Sequence, residues 1–129
     1  MLKLYNSYSN SLEEVLLSKD KVKVYLCGPT VQSSPHIGHG RSAVVFDFFI
    51  RYLKYLDFNI SFVRNITDIE DKIILKSAEQ NIDFKELAEN VTKEFKDAYS
   101  NLNCIPPDVE PKATEYIDEI LLYIQKILD

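Results

Sequence analysis

Val22-Lys23-Val24-Tyr25-Leu26 runs into Cys27-Gly28-Pro29, and Phe58-Asn59-Ile60-Ser61-Phe62-Val63 follows some thirty residues later. Both stretches alternate and are rich in β-formers, so each predicts a strand, at 22–26 and 58–63. Between them Gly28 and Pro29 break the first strand, and a loop runs on through Ser33-Ser34-Pro35. From His36 onward, apolar residues recur at Val45, Phe48, Phe49, Tyr52, Leu53 and Leu56, the spacing of one helix face. Strand, helix and strand in this order make a βαβ unit, which implies an α/β fold with a parallel sheet and a right-handed crossover.

Outward from this unit the chain turns helical. Asp71–Glu79 reads as a helix, and Asp83 with Glu86 three residues later reads as a capping box. The helix it opens carries Leu87, Val91, Phe95, Ala98 and Leu102 along one side. Cys104-Ile105-Pro106-Pro107-Asp108 is a stop and turn. A last helix from about Ala113 has Tyr116, Ile117, Ile120, Leu121, Ile124 and Leu128 on one face. Two strands, with a third near residues 2–6, make a poor parallel sheet, since such sheets are covered on both faces and continue further. The expectation is a piece of a larger domain.

The 129 residues are 46% hydrophobic and 27% charged, the balance of a globular protein. No apolar run approaches the roughly 20 residues of a membrane helix, and the N-terminus lacks a signal-peptide pattern. A cytoplasmic location without membrane contact is expected. Cys27 and Cys104 are too few and too far apart for a disulfide framework. The net charge of −5 is uneven: residues 1–70 hold eight Lys/Arg against seven Asp/Glu, residues 71–129 seven against thirteen. A polyanion-binding surface needs clustered Lys/Arg, so charge argues against an RNA-binding module.

The chemistry sits at the junction Cys27-Gly28-Pro29-Thr30-Val31 … Pro35-His36-Ile37-Gly38-His39-Gly40-Arg41. Ligands of open α/β sheets bind at the carboxyl ends of strands, where a helix N-terminus suits phosphate. His36 and His39, three apart, share one side of a first helical turn and can donate to one phosphate group. Gly38 between them would let a base or ribose approach the backbone. Alone, the two histidines fit a surface pair or half of a metal site better. Their place after a strand-ending Gly-Pro loop brings the phosphate reading level with those.

His36-Ile37-Gly38-His39 matches the HIGH signature of class I aminoacyl-tRNA synthetases. Cys27-Gly28-Pro29-Thr30-Val31, Arg64-Asn65-Ile66-Thr67-Asp68-Ile69 with Asp71-Lys72, and Glu110-Pro111-Lys112-Ala113-Thr114 are similar, at the right spacings, to the cysteine-specific branch of that family. The resemblance covers essentially the whole chain. It implies the first half of a Rossmann-type catalytic domain over residues 1–102 and the start of a helical insertion over 103–129. It also implies a complete parent that activates cysteine with ATP and Mg2+ to cysteinyl adenylate and passes it to tRNA(Cys), working as a monomer. By the same resemblance Cys27 matches the first of four zinc ligands. The Zn2+ would bind the substrate thiolate and reject serine. Without the family, Cys27 reads as a small buried hydrophobe.

His36 and His39 resemble the pair that stabilises charge on the ATP phosphates. Gly28 and Thr30 match the pocket lining, and Thr67 and Asp68 are expected to face the same crevice, a helix cap being the alternative role for Asp68. Gln32-Ser33 departs from the Tyr-Asp or Tyr-Asn of relatives, which affects the rim above the nucleotide, and Glu70 replaces a usual Asp. The lysine-rich signature loop, three zinc ligands and an anticodon-binding region are absent from these residues, so the chain alone is expected to be inactive. Two other readings fit the same motifs: the cysteine–amino-sugar ligase of mycothiol synthesis, and a catalytically silent nucleotide-binding module.

Overall fold

The computed structural model describes residues 2–129. Its centre is the expected βαβ unit. Strands β3 (Val22–Leu26) and β4 (Ile60–Arg64) pair in parallel, Val22 opposite Ile60 and Leu26 opposite Arg64, joined by helix α1 (Ile37–Tyr55). β4 starts two residues later than its alternation suggests. Asp57 takes a left-handed conformation (φ 61°), its N–H bonds to the Lys54 carbonyl, and the N–H of Phe58 bonds to the Leu53 carbonyl. This is a Schellman closure of α1, and it spends Phe58 on ending the helix.

The segment expected as a strand near residues 2–6 is strand β1 (Lys3–Asn6), but it pairs antiparallel with β2 (Ser11–Glu14) in a separate two-stranded sheet. The Asn6 side chain accepts from the Tyr8 N–H and Asn10 sits at φ 53°, so turn chemistry makes this hairpin. Ser-Leu-Glu-Glu has no strand signal of its own.

Helix α2 (Asp71–Gln80) ends on left-handed Asn81, and α3 (Phe84–Asn101) opens on Asp83, whose carboxylate accepts from the Lys85 N–H at 2.8 Å. The cap is as expected; the returning bond from Glu86 does not form. Leu87, Val91 and Phe95 are buried as the spacing predicts. Ala88, Thr92 and Tyr99 join them, while Leu102 lies half out. Leu87, Ala88, Val91, Phe95 and Tyr99, with Val31, Ala43, Ile66 and Ile73, form the main core between the sheet ends, α1, α2 and α3.

The face expected for α1 is corrected. The helix buries Ala43, Ile50 and Leu53, and leaves Val45, Phe48 and Tyr52 exposed. α1 is apolar nearly all round, so periodicity could not choose its inner side. A second correction concerns the sheet. Residues 108–113 run extended and parallel along β4, on the edge away from β3. The Arg64 N–H donates to the Val109 carbonyl, Ile66 N–H to Pro111, and Ala113 N–H to Ile66. The sheet therefore has a third lane after the helices. Three side chains hold it: Asp108 accepts from the Phe62 N–H at 2.7 Å, Glu110 pairs with Arg64 at 2.8 Å, and Asp68 grips Thr114. A short 3-10 turn (Ala113–Tyr116) then leads into α4 (Ile117–Leu128), every residue of which is exposed.

Candidate functional site

The parallel ladder continues beyond the strands. The Thr67 N–H donates to the Pro29 carbonyl and the Val31 N–H to the Thr67 carbonyl, so Thr30 and Thr67 lie side by side. Gly28 is where these two chain segments touch. A Cβ there would stand 1.5 Å from the Asn65 carbonyl oxygen, and the Gly28 N–H donates to the Asn65 side chain at 2.9 Å. The glycine serves this close approach. It leaves the strand ends open as a cleft of about 310 Å³, lined by Cys27, Thr30, Ser42, His39, Arg64 and Tyr99 among others.

At its rim α1 begins with two imidazoles in each other's service. His36 is the N-cap, extended at φ −123°, and its Nδ1 accepts from the Gly38 N–H at 3.1 Å. His39 Nδ1 in turn accepts from the His36 N–H at 3.2 Å. This is a capping box written in histidine. Because both Nδ1 atoms accept, each neutral ring carries its proton on Nε2 and keeps one N–H to donate. No acidic side chain occupies the first turn, so the positive end of the helix dipole is uncompensated by the chain itself. The rings lie 3.9 Å apart, His36 exposed and His39 lining the cleft.

Gly38 is explained by this cap. A Cβ on it would meet the His36 ring at 2.8 Å, so the space beside it belongs to an imidazole.

Burial, followed by the neighbouring His36, pushes the His39 pKa below its ordinary value of 6.5. The neutral, capping form therefore survives to lower pH than in an unfolded chain. Its contribution to stability is complete above the unfolded pKa and is lost as pH falls through the lower folded one. An NMR titration is expected to show His39 protonating below 6.5, with the amides of Ile37 to His39 shifting in the same step. Protonation at or above the free-histidine value would contradict the burial.

The structure thus brings together Cys27, Gly28, Thr30, His39 and, through the ladder, Thr67, with His36 and Gly38 at the rim. Asp68 stands apart from them. It is buried, accepts from the Thr114 backbone N–H at 3.0 Å and from its hydroxyl at 2.5 Å, and borders a different cavity with Phe84 and Lys112. Its role here is the capping one, at the start of the 3-10 turn.

Arg64 and Tyr99 are the charged and aromatic cleft residues to which sequence reasoning gave no role of their own. Arg64 lies almost wholly buried at the carboxyl end of β4, its guanidinium 4.4 Å over the Tyr99 ring and paired with Glu110. A charged residue ending an otherwise apolar strand was the available signal. Among the described residues no group of three or more His, Cys, Asp or Glu is arranged to hold a metal; the Cys27 thiol is exposed at the cleft.

Comparison with known proteins fits this geometry to a family. The profile described as tRNA synthetases class I (C) catalytic domain matches residues 13–129. The chain is 45% identical to the cysteine–tRNA ligase of Shewanella denitrificans, over 100% of its own length and 28% of that protein's. It is 44% identical to that of Desulfotalea psychrophila, covering 99% of itself and 26% of the relative, and 43% identical to that of Methanococcus maripaludis, at 100% and 27%. The chain thus spans little more than a quarter of these curated relatives. With a βαβ unit whose helix opens on His-Ile-Gly-His beside a strand-ending cysteine, and a profile match over nearly its full length, this chain belongs to the catalytic-domain family of the cysteine-specific class I tRNA synthetases.

Proposed function

We propose that this chain is the N-terminal, phosphate-facing part of a cysteine–tRNA ligase, in which ATP and cysteine react in the cleft between the ends of β3 and β4. The observation that carries this reading is the reciprocal histidine cap: two imidazoles whose Nδ1 atoms are engaged in the cap and whose Nε2–H groups are left to donate, at a dipole end with no acid of its own, with His39 lining the same cleft as the Cys27 thiol. In the reaction the cysteine carboxylate attacks the α-phosphorus of ATP, supplied as its Mg2+ complex, and pyrophosphate leaves. His36 and His39 donate to the phosphate oxygens on which charge accumulates, and being fixed in advance they need little reorganisation as the reaction proceeds. The same adenylate then passes its cysteinyl group to a terminal ribose hydroxyl of tRNA(Cys). Thr30 and Thr67 border the amino-acid end, and Gly28 keeps it open.

Cys27 supplies one of the ligands for a Zn2+ that, when bound, selects a thiolate over a hydroxyl. Its exposed sulfur at the cleft has the right donor chemistry. In the complete ligase Cys27→Ser is expected to lose most bound zinc and with it the preference for cysteine over serine. Metal analysis and competitive exchange measure both; full zinc content in the variant would place the site elsewhere.

The deciding assay for the function is cysteine-dependent exchange of pyrophosphate into ATP. The 129-residue polypeptide alone is expected to give none: β3 has an open edge, the apolar faces of α1 and α4 are uncovered, and one thiol cannot make a four-ligand site. Supplied with the remainder of a ligase of this family, it should support robust exchange. Exchange by the polypeptide alone, or exchange driven by another amino acid in the complemented enzyme, would overturn the assignment.

A further inference from the structure

His39 has more around it than its cap. Its ring meets Phe95 of α3 edge-on, with centroids 4.9 Å apart and planes at 74°. Phe95 is itself immobilised: only 3% exposed, it packs on Tyr99 at 5.8 Å, and Tyr99 lies under the Arg64 guanidinium at 4.4 Å. An unbroken stack therefore runs from the exposed His36 through His39, Phe95 and Tyr99 to Arg64 at the end of β4. It links α1, α3 and β4, three of the elements that wall the cleft.

The stack answers a problem that the cap leaves open. The imidazole plane turns about a broad, two-fold torsion. One 3.2 Å bond from the His36 N–H to Nδ1 is a modest restraint on it. A quarter-turn of the ring would carry Nδ1 off the line of the His36 N–H and break the cap. The Phe95 ring, packed at 74° to the imidazole, resists that turn, because it would take the pair out of its edge-to-face arrangement.

We propose that Phe95 is a positioning residue for the chemistry at the head of α1: its ring holds the plane of the His39 imidazole, so that the reciprocal histidine cap keeps His39 as the single Nε2–H tautomer in one orientation. Phe95 touches no substrate and acts through His39. The catalytic consequence rests on the ligase reading; the tautomer lock does not.

Imidazole nitrogen NMR on the 129-residue chain tests the lock. In the unaltered protein His39 is expected as Nε2–H only, at a pH above its titration. In Phe95→Leu it should become a mixture of tautomers, and in Phe95→Met, whose flexible chain can fill the gap without a ring, likewise. Val91→Ala, a truncation in the same core on the same helix, should leave the His39 tautomer pure. A mixed tautomer in the unaltered chain, a pure one in either folded Phe95 variant, or equal mixing in Val91→Ala would each overturn the proposal.

In the complete ligase, Phe95→Leu should lower the turnover of pyrophosphate exchange by on the order of 10²-fold, with the KM for ATP changed by less than about twofold, as for loss of a contact made in the transition state. A raised KM with turnover intact would make Phe95 part of ground-state binding and overturn its positioning role. Absence of cysteine-dependent exchange in the unaltered complete protein would sink the ligase reading, and the tautomer result would still stand by itself.

Discussion

His39→Ala in the complete ligase is expected to slow cysteinyl adenylate formation by about 10²–10³, the usual cost of removing one fixed donor to a developing anion. The expected signature is a fall in turnover well beyond any rise in the KM for ATP, because the Nε2–H contact strengthens as charge gathers on the phosphate. The substitution also removes the acceptor for the His36 N–H. That loss acts on the first turn of α1, and losing a cap typically costs about 1 kcal/mol. Circular dichroism and thermal melting would register it separately from the rate. Pyrophosphate-exchange kinetics in which only the KM changes would reduce His39 to a ground-state ligand.

Glu110→Ala is expected to cost about 3–5 kcal/mol, the range for leaving one member of a buried ion pair alone. The Arg64 side chain is 7% exposed, its Nη2 is 2.8 Å from Glu110, and its Nε already lacks a partner. Without the carboxylate only the Tyr99 face would attend to that charge. The Lys96 ammonium, 3.0 Å from the other Glu110 oxygen and well exposed, returns to water at little cost. Burial pushes the Glu110 carboxyl upward, but Arg64 and Lys96 outweigh it and hold the group below 4.5. The stability it brings is therefore present above the ordinary carboxylate range and lost as pH falls through the depressed pKa.

Urea denaturation at neutral pH measures the loss. A double variant, Arg64→Met with Glu110→Leu, should recover most of it, since apolar replacement removes both the charge and its desolvation. A Glu110→Ala cost under about 1 kcal/mol would show that water reaches Arg64. The effect should also reach function, because Arg64 and Tyr99 are cleft walls and Glu110 ties the 108–113 lane to β4.

Much of this was readable along the chain wherever a local rule carries the information. β3, the loop after it, α2 and the Asp83 cap of α3 follow from alternation, Gly-Pro punctuation and capping chemistry, all of which act within a few residues. The place of His36 and His39 at a helix N-terminus beside strand ends was legible too, from strand–loop–helix order, whereas Cys27 and Thr30 were picked out by the family resemblance and not by local pattern. The hairpin strand β2 was not, since Ser11–Glu14 has no β preference and is held by its turn. Nor was the buried side of α1, whose apolar residues surround the helix and so encode no direction.

What the sequence determined by itself is the βαβ unit, its family, and the presence of two histidines at the head of α1. Each is carried by spacing within one element or one short motif. Tertiary structure alone decided three further matters. It laid Val109-Glu110-Pro111-Lys112 along β4, although a proline-bearing stretch without alternation carries no strand signal. It withdrew Asp68 from the cleft to hold Thr114, 46 residues away. And it set Phe95, one more apolar residue in a helical stripe, against the ring of His39. These depend on partners distant in the chain, and a side chain buried by such a partner takes its role from the geometry of the contact, which no local pattern of residues records.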